Sequence, residues 1–162
     1  MSGLIKKQRG AVTYYTPEGN EWFSTLVTEE LPSGNLQIYF AGVTGSGAEA
    51  QGPEGEIPAC FDRFESALQE AGVCSSLSEV DFLEIHAFGT APKGVNPITD
   101  PEGYAAARKR TRDAYSTAYA RYWAEKLPDN GLPTRFTVYL EDLPNSKASF
   151  EISGTALLQM KR

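Results

Sequence analysis

The one histidine of this 162-residue chain, His86, stands two residues after Glu84 in an apolar, strand-like stretch, residues 80–88. Side chains two apart on a strand point to the same side, so imidazole and carboxylate share a face. Such a pair can move a proton, and burial at a subunit boundary would shift both groups toward useful pKa values. The same pair would equally serve as a structural ion-pair contact across an oligomer. Arg135 and Glu151 fall on two further strand-like stretches, 134–140 and 150–157, and strict alternation assigns them to the side of Glu84 and His86.

Other reactive types carry less. Cys60 lies on the apolar stripe of a helix and reads as a small buried hydrophobe, and its 14-residue spacing from Cys74 matches no zinc motif. With one histidine and two isolated cysteines, no metal site is expected. Gly45-Ser46-Gly47 opens like a dinucleotide fingerprint, but Ala50 stands where the third glycine belongs, and Ser46 lacks the flanking glycine of a nucleophile elbow. No phosphate-binding Walker loop occurs. No cofactor is expected.

The elements that must position these groups are legible. Strands are predicted at 22–28, 36–42, 80–88, 134–140 and 150–157, from their β-branched and aromatic content. Ile57, Cys60, Phe61, Phe64, Leu68 and Ala71 recur at helical spacing, with Pro58 near the start and Gly72 as the stop. A second helix spans about 102–127 and ends at Pro128. The four tyrosines Tyr104, Tyr115, Tyr119 and Tyr122 read as packing residues of that helix, with Tyr119 the exception if it faces a cleft. Residues 32–35 and 142–147 read as turns, and 42–56 and 89–103 as long loops. The order is an α+β domain, residues 1–162, with two helices on one face of a mixed sheet. A chain this long buries roughly 70% of its unfolded surface in one core.

Alternation divides the strands into two faces. Ile38, Phe40, Leu83, Ile85, Ala87, Phe136, Val138, Leu140, Phe150, Ile152 and Ala156 are expected to meet the helices. Tyr39, Phe82, Phe88 and Tyr139 are expected opposite, with the charged groups. Four aromatics on a face without helices imply an interface between copies of the chain.

The chain carries 15 Lys and Arg against 21 Asp and Glu, a net charge of −6, which disfavours nucleic acid as a partner. Arg108, Lys109, Arg110 and Arg112 form the one basic cluster of note and read as a solvated helix face. No apolar run approaches the ~20 residues of a membrane helix, and residues 1–10 are basic without an apolar core, so no membrane association and a cytoplasmic location are expected.

Several blocks together resemble the RidA (YjgF/YER057c/UK114) family. In order they are Ile38-Tyr39-Phe40-Ala41-Gly42, Ala67-Leu68-Gln69-Glu70-Ala71-Gly72, Ser76-Leu77-Ser78-Glu79-Val80, Pro133-Thr134-Arg135-Phe136-Thr137-Val138, Leu143-Pro144 and Phe150-Glu151-Ile152. Residues 1–20 fall outside the similarity. The resemblance implies a chorismate-mutase-like fold, a homotrimer around a central barrel, and clefts between neighbours. It implies hydrolysis of carboxylate-bearing imines or enamines to a 2-oxo acid and ammonia, without a cofactor. Arg135 then anchors the substrate carboxylate and Glu151 transfers protons.

Ala41 stands where many members have serine, Thr137 where cysteine is common, Tyr119 where asparagine is frequent, and Phe23 where a tyrosine occurs. With Gly42 and Phe88 these line the implied pocket, and Glu84 with His86 would supply an acid/base pair that the standard site lacks. The pattern reads as a specialised member. The alternative is a non-catalytic module that binds oxo acids or acts as a chaperone, retaining only the carboxylate clamp. A ribonuclease activity is disfavoured by the acidic charge.

Overall fold

A computed structural model describes residues 3–45, 47, 52–141, 143–144 and 147–160. Its strands are β1 (Leu4–Arg9), β2 (Val12–Pro17), β3 (Leu26–Glu30), β4 (Leu36–Thr44), β5 (Val80–Thr90), β6 (Thr134–Leu140) and β7 (Phe150–Leu158), with helices α1 (Pro53–Glu70) and α2 (Pro101–Lys126). They form one seven-stranded sheet in the order β1-β2-β3-β4-β7-β5-β6. All pairings are antiparallel except β5 with β6. Both helices lie on one face, as the predicted order requires.

The helices begin and end where local chemistry allows. Pro53 opens α1 and Gly72, with φ +68°, follows its end, in the left-handed conformation that terminates helices. The Asp100 carboxylate accepts the Gly103 amide at 2.9 Å to cap α2. Between helices and sheet lies an aromatic core. Phe61 stacks on Tyr122 at 4.7 Å, Phe40 on Phe64 at 4.1 Å, and Phe82 meets Trp123 edge-on at 5.3 Å.

Several expectations need correction. The N-terminal segment forms a hairpin, β1–β2, that extends the sheet beyond β3. The strand expected at 22–28 begins only at Leu26, and Trp22 is 92% exposed. The loop expected over 89–103 is residues 91–100, because β5 runs to Thr90 and Pro101 starts α2. Of the loop expected at 42–56, β4 claims the beginning and α1 the end. Ser46, Ala50 and part of the 142–147 turn lie outside the described residues.

The two faces also differ from strict alternation. In β5 Phe82 pairs with Ala156 and Glu84 with Thr155, so Leu83 is the extra residue of a bulge. Phe82 therefore enters the core, 5% exposed, while Leu83 turns outward, 46% exposed. In β6 the assignment is inverted. Parallel pairing sets Arg135 beside Ile85, Thr137 beside Ala87 and Tyr139 beside Gly89, all on the helix side. Phe136, Val138 and Leu140 join His86 and Phe88 on the open side, and Phe136 is 57% exposed. β6 is an edge strand, and the side of it that hydrophobicity selects, Phe136, Val138 and Leu140, is the one that turns away from the helices.

Candidate functional site

The residues singled out in the sequence form two groups on opposite sides of the sheet. The first sits where the β6 edge meets α2. Arg135 donates from Nη2 to Ser116 Oγ at 3.3 Å, and its guanidinium carbon lies 4.6 Å from the centre of the Tyr119 ring. Stacking on the ring and one hydrogen bond hold the side chain while leaving guanidinium N–H groups for another acceptor. Thr137 follows on the same face of β6, and Tyr139 beyond it fills the space above Gly89, where an added Cβ would lie 2.8 Å from the Tyr139 ring.

Tyr119 itself is nearly buried, and its hydroxyl has no hydrogen-bond partner among the described residues. Burial pushes its pKa up and the nearby Arg135 charge only partly opposes this, so the phenol stays neutral.

The second group lies on the open face. Glu84 and His86 form a contact at 3.1 Å with both side chains largely exposed, so it adds little stability. His86 meets Phe136 edge-on at 6.2 Å. Across the ladder, Phe88 pairs with Glu151 and His86 with Ser153. Partial burial raises the Glu151 carboxyl from its ordinary pKa. Opposite Ser153, β4 bulges: Phe40 pairs with Gly154 and Val43 with Ile152, so Ala41 and Gly42 together face the single Ser153, one residue in excess. Gly42 takes φ +68°, and a Cβ there would come within 3.4 Å of the Phe23 ring. The bulge thus joins Phe23 to the strand carrying Glu151.

A cavity of about 400 Å³ opens behind Gly42, between the N-terminal hairpin and α1, with Thr25, Arg63 and Glu70 in its lining. Among the described residues no cluster of three or more His, Cys, Asp or Glu is placed to hold a metal. Burial pushes the Cys60 thiol up, and that of Cys74 up to about 11, so neither is a ready thiolate.

Arg135, Thr137 and Tyr119 therefore come together, as do Glu84, His86, Phe88 and Glu151, with Ala41, Gly42 and Phe23 joined through the β4 bulge. One copy of the chain does not bring Arg135 to Glu151. Ser116 escaped the sequence reading, although its position three residues before Tyr119 puts it on the same helical face.

No protein-family model matches the sequence, and no curated protein matches it. Solved structures do. NMB1025 of Neisseria meningitidis, a member of the YjgF protein family, superposes with a TM-score of 0.54 at 16% identity, over 93% of this chain and 97% of that one. TdcF of E. coli, solved with bound serine, gives 0.54 at 14% identity, over 89% and 93%. YyfA of Yersinia pestis, of the conserved Rid protein family, gives 0.52 at 15% identity, over 88% and 90%. The chain has the α+β fold of the YjgF/Rid proteins. At these identities the likeness is one of fold.

Proposed function

We propose that the chain is a divergent RidA-type enzyme. It hydrolyses a carboxylate-bearing imine or enamine, without a cofactor, at clefts between copies of a homotrimer. The observation carrying this reading is Arg135, fixed by Ser116 and Tyr119 at an unpaired sheet edge with donors to spare. A planar guanidinium grips a carboxylate with two parallel hydrogen bonds. The acid/base groups lie on the apolar open face, and the reading requires that face of one copy to meet the β6 edge of the next. The site is incomplete without a second copy.

In such a cleft Arg135 holds the substrate carboxylate and aims the adjacent C=N carbon at a water. The water oxygen bonds to that carbon while the C=N electron pair moves to nitrogen. Glu151 takes one water proton and returns it to nitrogen, giving a carbinolamine. It then takes the hydroxyl proton and passes it to nitrogen as the oxygen electron pair forms C=O, the C–N bond breaks and ammonia leaves a 2-oxo acid. The carboxyl, raised by burial, is suited to carry a proton at each turn. Thr137 and Tyr119 line the Arg135 side, and Phe23, Ala41, Gly42, Phe88, Glu84 and His86 the other.

Imines generated by an amino-acid oxidase provide the test. The protein is expected to accelerate 2-oxo acid release, and Arg135→Ala to abolish the acceleration. Equal release with and without protein, across several amino acids, refutes the enzyme. Ala41, which offers no hydroxyl to a substrate, favours the second reading, an oxo-acid-binding module. Calorimetric binding that is lost in Arg135→Ala, with no turnover, would identify it.

A further inference from the structure

Between α2 and β6, on the far side of Ser116 from Tyr119, lies a cationic groove. Tyr139 lies two residues beyond Thr137 on the same face of β6, about 13 Å along the strand from Arg135. Around its ring a recess of about 230 Å³ is lined by Ala105, Arg108, Lys109 and Arg112. β6 forms the floor and α2 the wall. Ser116, which anchors Arg135, is one helical turn from Arg112 and two from Arg108, so the successive steps along the wall are about 6 Å.

The charges around the recess are not all cancelled. Asp113 takes Lys109 at 2.6 Å, and takes Nε and Nη2 of Arg112 on a single oxygen at 3.1 and 3.0 Å. Arg108 has no ion pair among the described residues. Glu141, the other nearby carboxylate, lines the neighbouring recess under residues 91–97. Burial pushes the Tyr139 hydroxyl up; the guanidinium groups of Arg135, Arg112 and Arg108 oppose this, while Asp113 adds to it.

Resting on the reading of Arg135 as a carboxylate anchor, we infer that the substrate carries a second acidic group, which Arg108 and Arg112 receive at the Tyr139 end of the groove. The substrate class is an imine or enamine of an acidic amino acid. The basic cluster of α2 then sets specificity.

Calorimetry on the full chain tests this with 2-oxoglutarate and 2-oxobutyrate, the product analogues with and without a second carboxylate. The wild type is expected to bind 2-oxoglutarate at least tenfold more tightly. In the Arg108→Gln, Arg112→Gln double variant that ratio should collapse toward one, and in Arg108→Lys, Arg112→Lys part of it should return. Arg135→Gln should weaken both ligands. Equal wild-type affinities, or a preference untouched by the double variant, overturn the second-acid site and leave the Arg135 reading standing. If neither oxo acid binds, or if Arg135→Gln changes nothing, the Arg135 reading falls and this inference falls with it.

Discussion

Arg135 is held against the Tyr119 ring, and that arrangement separates charge from shape. Lysine keeps the charge but loses both the planar stacking and the fork of donors. Arg135→Lys is expected to weaken 2-oxo acid binding tenfold or more without lowering the melting temperature, which calorimetry and thermal unfolding would read together. The Tyr119 hydroxyl is buried without a partner among the described residues, and such a group adds only the cost of its desolvation. Tyr119→Phe should therefore melt no lower than the wild type. A clear drop in its melting temperature would mean that the hydroxyl does hold a partner.

Glu151 makes a prediction in pH. Its folded pKa is raised by burial, so its contribution to stability is fully present below the unfolded value of about 4.3 and is lost as pH rises through the folded value. Glu151→Gln should gain on the wild type as pH climbs from 4 to 8, read from denaturation midpoints. A difference constant across that range contradicts it.

At the scale of elements, the β5 bulge explains a glycine. By adding Leu83 it turns the Glu84 carbonyl toward β7, where a Cβ on Gly154 would lie 2.1 Å from that oxygen and 3.0 Å from the Phe40 ring. The obstacle is backbone of β5, held by β7 on one side and β6 on the other, so it cannot move aside cheaply. Gly154→Ala is expected to cost at least ~1–3 kcal/mol, measured by chemical denaturation.

A second element-scale tie is Glu56, fully buried in the first turn of α1. It accepts the Tyr115 hydroxyl from α2 and the Ser149 amide just before β7. That carboxylate fastens both helices to the sheet, and burial together with the adjacent Glu56 pushes the Tyr115 phenol far up. The helices and most strand positions could be read from periodicity, because each element repeats its own apolar spacing. The bulges could not, since one added residue leaves the local pattern intact while reversing every side chain after it.

For the whole molecule, the open face carries Tyr39, Leu83, Phe88, Phe136 and Leu140 with no helix over it, and Leu83 and Phe136 are 46% and 57% exposed. The proposed cleft requires another copy of the chain to cover it. If that cover is the proposed trimer, Leu83→Glu with Phe136→Glu should shift sedimentation from trimer to monomer while the circular dichroism of the fold persists. A wild type that sediments as a monomer removes the shared cleft.

What composition and spacing determined here was the kind and order of the elements after the N-terminal hairpin and the absence of a long apolar span, while the family resemblance singled out Arg135 as the group to watch. Those properties follow from neighbours along the chain, which the sequence states directly. Which face of β6 bears Arg135, how the N-terminal hairpin extends the sheet, and that Arg135 and Glu151 lie apart in one copy were decided by pairing in space. Parallel docking of β6 on β5 set the first of these, because β6 has β5 as its one neighbour in the sheet and its apolar set, Phe136, Val138 and Leu140, turns to the open face where local hydrophobicity points it at the helices.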